Sequence, residues 1–190
     1  MIYETIVTTN NADGAPHIAP MGVREAAGLF VLAPFRPSGT LENLQRTRQA
    51  VINLTDDVRV YAGCLTGRAD WPVRAATQVN GWILEAALTH IEVEVERIDD
   101  DAVRPGFHCR ELTRAVHGPF RGFNRAQAAV IECAILVSRL HMLPAAKIDA
   151  ELDYLRLAID KTAGEREKTA WGWLLERISQ YRAELRQAVG

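Results

Sequence analysis

LFVLAPFRPSGTLENLQRTRQAVINLT, residues 29–55, holds the change of pattern that organises the first half of the chain. LFVLAP is a short apolar strand, TLENLQRTRQ has helical spacing, and AVINLT reads as a second buried strand. The loop between them, FRPSGT, runs into the amino end of the helix. There the first backbone N–H groups lack partners and the helix dipole favours negative charge. Arg36, Ser38 and Thr40 bring side-chain donors to the same end, and a guanidinium fork matches phosphate oxygens. Gly39 lets an anion approach the main chain, while Pro34 and Pro37 stiffen the loop. The residues alone leave two readings: a phosphate cradle of the kind helix N-termini supply, or an ordinary hydroxyl cap beside a surface arginine.

Working outward, residues 3–9 form a strand, and Asp13-Gly14 turns it into a return strand over 15–23. The return strand contains Pro16 and Pro20, which cannot donate to a ladder. Its gaps suit a planar heterocycle, with Gly22 allowing close approach, or mark an edge strand guarded by proline. His17 on this strand is a candidate proton donor. In VINLTDD, Asn53, Asp56 and Asp57 are candidates for the polar edge of a ring or a sugar-like chain. The two aspartates are equally candidates to cap a short helix through Val58, Val60 and Tyr61.

The segment with Trp71, Pro72, Asn80 and Gly81 reads as loop. IEVEVER alternates, which predicts Ile91, Val93 and Val95 inward and Glu92, Glu94 and Glu96 toward water. Asp99, Asp100 and Asp101 read as a solvated turn, since no calcium-loop spacing follows them. A last strand covers 107–116. From Asn124 the spacing becomes helical: a capped helix broken by Pro144, a second over 148–159 and a third over 165–189. The expected organisation is a β-domain over 1–120 and a helical domain over 121–190, an α+β protein. Arg121, Asn124 and Arg125 at the border form either a second cationic patch or a plain helix cap.

Composition narrows the function. The chain has 190 residues and a formal net charge of -2, so no general attraction to nucleic acid is expected. No apolar run is long enough to cross a membrane. The opening MIYETIVTTN has no basic leader, and three well-separated cysteines suit free thiols, so the expected location is the cytoplasm. His108 and Cys109 are adjacent on a strand and point to opposite faces, so no metal site is expected. GxSxG, GxGxxG and P-loop patterns are absent.

ADGAPHIAPMGV, LAPFRPSGTLENL, AVINLTDDVRVYAG and FNRAQAAVIECAILVSRL together resemble the family of domain of unknown function 447, DUF447. That family is similar to the FMN-binding split barrels of pyridoxamine phosphate oxidase and flavin reductases. The resemblance implies an FMN-binding split β-barrel followed by a small C-terminal three-helix domain. It implies a homodimer with FMN at the subunit interface. Arg36, Ser38 and Thr40 would then hold the phosphate. His17, Ile18, Ala19, Pro20, Met21 and Gly22 would line the ring, and Asn43 and Asn53 would touch the ribityl chain or the ring edge. The implied activity is a flavin-dependent oxidoreductase acting on an unknown small substrate, in the context of tetrahydromethanopterin-linked one-carbon metabolism. Two other readings stay open: a non-catalytic flavin-binding or protein-interaction module, and a one-carbon-cofactor enzyme that kept the anion cradle without flavin.

Overall fold

The structure, a computed structural model, describes residues 1–189. In chain order it runs β1 (Ile2–Asn10), β2 (Pro16–Ala26), β3 (Leu29–Leu32), α1 (Gly39–Thr47) and β4 (Gln49–Leu54). Then come α2 (Val58–Leu65), β5 (Val73–Ala75), β6 (Trp82–Leu84), β7 (Thr89–Asp99) and β8 (Gly106–Val116). The chain ends in α3 (Arg125–Ser138), α4 (Ala145–Thr162) and α5 (Glu165–Val189). The chain divides into two compact units. One comprises Met1–Asp56 and Asp70–Phe120; the other takes Asp57–Ala69 together with the chain from Arg121 onward.

The first unit is a closed barrel in the order β1-β2-β3-β8-β7-β4, every neighbouring pair antiparallel. Alternation fills it: Val7, Leu32, Ile52, Ile91, Val93 and Phe107 point inward, joined by Leu41 and Leu44 from α1. Burying such side chains is the main favourable contribution to folding. Helix α1 ends at Arg48, in the left-handed region at φ 56, and its amide donates back to the Leu44 carbonyl. The Arg48 guanidinium then donates to the Val95 and Glu96 carbonyls at 2.9 and 3.2 Å, where β7 is irregular against β8.

Two expectations fail here for one reason. The 71–81 segment is not plain loop: β5 and β6 pair, and Val79 and Ile83 pack on Val51, on the outer face of the barrel. Glu92, expected in water, is therefore completely buried beneath this cover. Its carboxylate accepts from the Thr77 amide (2.9 Å), the Thr77 hydroxyl (2.8 Å), the Gln78 amide and the Val79 amide (2.9 Å). His90 lies 3.3 Å away. Burial alone would raise the Glu92 pKa, but the donors of residues 77–79 outweigh it and hold the group at about 2.

The second unit contains α2 as well as the three expected helices. Val58 and Ala62 of α2 are buried among Ala126, Val130, Cys133, Trp171 and Leu174. Asp57, not Asp56, caps α2: it accepts the Arg59 amide and pairs with the Arg59 guanidinium at 2.6 Å. Asp57 is buried at this cap. Asn124 caps α3 through the amides of Ala126 and Gln127, and also donates to the Thr162 carbonyl at 3.1 Å. Glu167 reaches back to the Gly164 amide at 2.9 Å, closing the start of α5 as in a capping box. Among the described residues no helix is long and apolar enough to cross a membrane.

Glu92→Gln is expected to destabilise the protein by about 2–4 kcal/mol, since several charge-assisted bonds lose their acceptor in the interior. Urea denaturation measures it. The folded pKa lies below that of the unfolded chain. The Glu92 contribution is therefore complete above the ordinary glutamate value and is lost as pH falls toward about 2.

Candidate functional site

The candidate site forms where β3 stops. β3 pairs with β2 only over Val23–Ala26, matched to Leu32–Leu29. Residues 16–22 of β2 thus have β1 on one side and, among the described residues, no strand on the other. The chain leaves β3 at this point, crosses 33–38 and starts α1 beside the open edge. Gly39 fits closely there: a Cβ would stand 3.1 Å from the His17 ring, which would have to shift to admit it. The Thr40 hydroxyl lies 3.1 Å from His17 Nε2. Burial lowers the His17 pKa, favouring the neutral imidazole.

Ser38 is the N-cap of α1, and its Oγ accepts the Leu41 amide at 3.2 Å. The hydroxyl-cap reading thus describes Ser38. It leaves the amides of Gly39 and Thr40 with no protein acceptor among the described residues. Arg36 stands just outside with its guanidinium about one-third exposed. A partly exposed guanidinium and two open amides at a helix N-terminus are donors of the kind a phosphate ester takes.

The β7–β8 turn, which sequence reasoning passed over as solvated, holds this loop. Arg36 donates its amide to the Val103 carbonyl (2.9 Å), its Nε to the Asp101 carbonyl (3.1 Å) and a terminal nitrogen to the Asp100 carboxylate (2.8 Å). Arg104 donates twice to the Ala33 carbonyl, at 3.1 and 3.0 Å, and its guanidinium lies 4.3 Å over the Phe35 ring. The Asp101 carboxylate accepts the amides of Arg104 and Val103, which hold its pKa down. Asp100 is 88% exposed and its carboxylate meets Arg36, whereas Asp99 is tied to His108 at 2.7 Å. No short motif announces this clamp, because its two halves are some 65 residues apart in sequence.

The two asparagines are engaged by the protein itself. Asn53 is completely buried: its amide donates toward the carbonyls of Ile6 and Val51 and the Thr8 hydroxyl, and its oxygen accepts the Leu84 amide at 2.9 Å. It ties β4 to β1 and β6. Asn43 donates to the Thr9 hydroxyl and the Asn11 side chain at 3.1 Å each and accepts from Arg46 at 2.9 Å. It lies beside the β1–β2 turn, buried and fully bonded. In this neighbourhood Asn10 Oδ1 is a buried acceptor that no donor reaches among the described residues.

Along β2, Met21 packs onto the barrel core, and its carbonyl accepts the Thr5 hydroxyl at 2.9 Å. Ile18 is buried, while His17, Ala19, Pro20 and Gly22 are half-buried. The space beside Gly22 is filled by Ile2, whose Cγ2 would lie 2.8 Å from an added Cβ. Cys109 and Cys133 are buried, with thiols pushed up to about 12, and Cys64 is raised to about 11; none is poised as a thiolate. Among the described residues no cluster of His, Cys, Asp and Glu could hold a metal ion.

The N-terminal domain model of the protein of unknown function DUF447 matches residues 3–118, and its C-terminal model matches 124–176. The chain belongs to the DUF447 family. A crystal structure of a DUF447 protein, the FMN-bound MM1853 of Methanosarcina mazei, is similar over 93% of this chain and 94% of that one. It has a TM-score of 0.82 at 18% identity. The flavin reductase BorF, from a bacterial two-component tryptophan halogenase, is similar over 63% of this chain and 82% of its own, with a TM-score of 0.52 at 16% identity. The 2-nitrobenzoate 2-nitroreductase of Pseudomonas fluorescens is similar over 60% and 64%, with a TM-score of 0.51 at 20% identity. The fold is thus that of the FMN-binding split barrels. No curated protein sequence matches the chain.

Arg104→Ala is expected to free the 33–36 loop without unfolding the barrel. Hydrogen exchange at the Arg36 amide should speed up at least tenfold, while global stability changes by less than about 1 kcal/mol, as for exposed polar contacts.

Proposed function

We propose that this DUF447 protein binds FMN as a cytoplasmic homodimer and works as a flavin-dependent oxidoreductase on a small substrate. The observation that carries the reading is the donor set at the start of α1: the Arg36 fork and the open amides of Gly39 and Thr40, beside the unpaired edge of 16–22. An FMN phosphate is a dianion that such a helix end favours. The flat ring system needs a wall free of competing strands, and the Pro16–Gly22 edge of β2 offers one. FMN supplies the redox chemistry when bound, while the chain positions it and excludes water. His17, kept neutral beside Thr40, is the side chain placed to hold a proton at this edge. The FMN-bound relative, similar over nearly the whole chain, supports the cofactor; the flavin reductase and the nitroreductase support the reaction class.

Homodimerisation follows from the same edge, because a partner subunit would cover the ring that one barrel leaves open. Tetrahydromethanopterin-linked one-carbon metabolism is the context the family resemblance suggests for the substrate. In this arrangement Asn43 and Asn53 hold the barrel together beneath the site.

The absorption spectrum of freshly purified protein, followed by FMN fluorescence titration, tests cofactor binding. Anaerobic reduction by NADH or NADPH tests the reaction. A bound flavin that no donor reduces would make the protein a binding module, and absence of FMN binding would overturn the reading. Arg36→Ala is expected to weaken FMN binding by about 1.5–3 kcal/mol, the worth of a charge-assisted hydrogen bond. Ser38→Ala should act mainly through the lost cap, costing about 1 kcal/mol of stability by thermal unfolding.

A further inference from the structure

Among the described residues Arg36 makes one close ion pair, with the Asp100 carboxylate at 2.8 Å. The Asp100 side chain is 88% exposed. A pair this wet is weak and readily exchanged. The other attachments of Arg36 are of a different kind: its amide and its Nε are fixed by main-chain carbonyls of the clamping turn. If the carboxylate leaves, the guanidinium stays on its mount.

We infer that Asp100 is a built-in competitor in the anion loop, a carboxylate that occupies the Arg36 fork until a doubly charged phosphate ester displaces it. The inference rests on the flavin reading above. It concerns how tightly the loop holds a phosphate-bearing flavin rather than whether it binds one. A dianion presents more acceptor oxygens and more charge to the fork than one carboxylate does, so exchange favours it. A neutral head group cannot displace Asp100 and gains nothing from Arg36. Asp101, next in sequence, cannot play this part, because its carboxylate is held by the amides of Val103 and Arg104.

The test is a fluorescence titration of FMN and riboflavin against the wild type, Asp100→Asn, Arg36→Ala and the double variant. Removing a wet competing ion partner should tighten FMN binding about two- to fivefold. Riboflavin affinity should not change. In the Arg36→Ala background the gain should vanish, since the competitor then has nothing to occupy. Weaker FMN binding by Asp100→Asn would overturn the inference, because the carboxylate would then be aiming the fork. A gain that persists without Arg36 would also overturn it, because the effect would be long-range repulsion. An equal gain for riboflavin would do the same. A wild-type protein that binds no FMN would be a separate failure: it removes the flavin reading, and this inference with it.

Discussion

The short ladder between β2 and β3 is the constraint on which the site depends. β1 pairs along most of β2, but β3 meets only its last four residues, Val23–Ala26. The barrel closes elsewhere, through β1 with β4 and β3 with β8. An unpaired edge is normally a liability, inviting other chains. Here Pro16 and Pro20 blunt it, and the α1 N-terminus is set down beside it through His17, Gly39 and Thr40. One local shortage of pairing therefore creates both a flat wall and a positively polarised corner.

The loop at that corner is ordered from outside its own sequence. Arg36 and Arg104 are reciprocal: each reaches the other's segment and bonds main-chain carbonyls there. Main-chain acceptors cannot wander as side chains do, so the loop conformation is fixed before any ligand arrives, lowering the entropy cost of binding. A similar device holds the β5–β6 cover, where one buried carboxylate collects the donors of residues 77–79. In both places a turn that reads as polar filler is held by a residue distant in sequence.

The strands, the loop and the helices were legible because each rests on local chemistry. Asp13-Gly14 makes the first turn, residues 50–54 carry an apolar run, and Asn124 and Glu165 mark helix starts where the structure has them. Ser38 as a cap was legible for the same reason. Glu92 was misread because alternation reports which face a residue occupies but not what lies on that face. The bonds of Asn53 to the backbone of β1 and β6 were not legible, because a polar residue at a strand end looks the same whether it meets a ligand or a neighbouring backbone. The packing of α2 was not legible, because its apolar stripe, Val58 and Ala62, does not say which core it joins.

The amino-acid sequence by itself determined the α+β class, the order of the main strands and helices outside the β5–β6 segment, and the donor-bearing loop at a helix start, all consequences of propensity, periodicity and capping within a few residues. Only the tertiary structure decided that the β2 edge is left open, that the Asp100–Arg104 turn grips Arg36, and that Glu92 is interior. Each of these depends on a pairing or a burial between segments far apart in the chain. Such contacts are set by the closure of the barrel, and no local pattern encodes which distant partner will arrive.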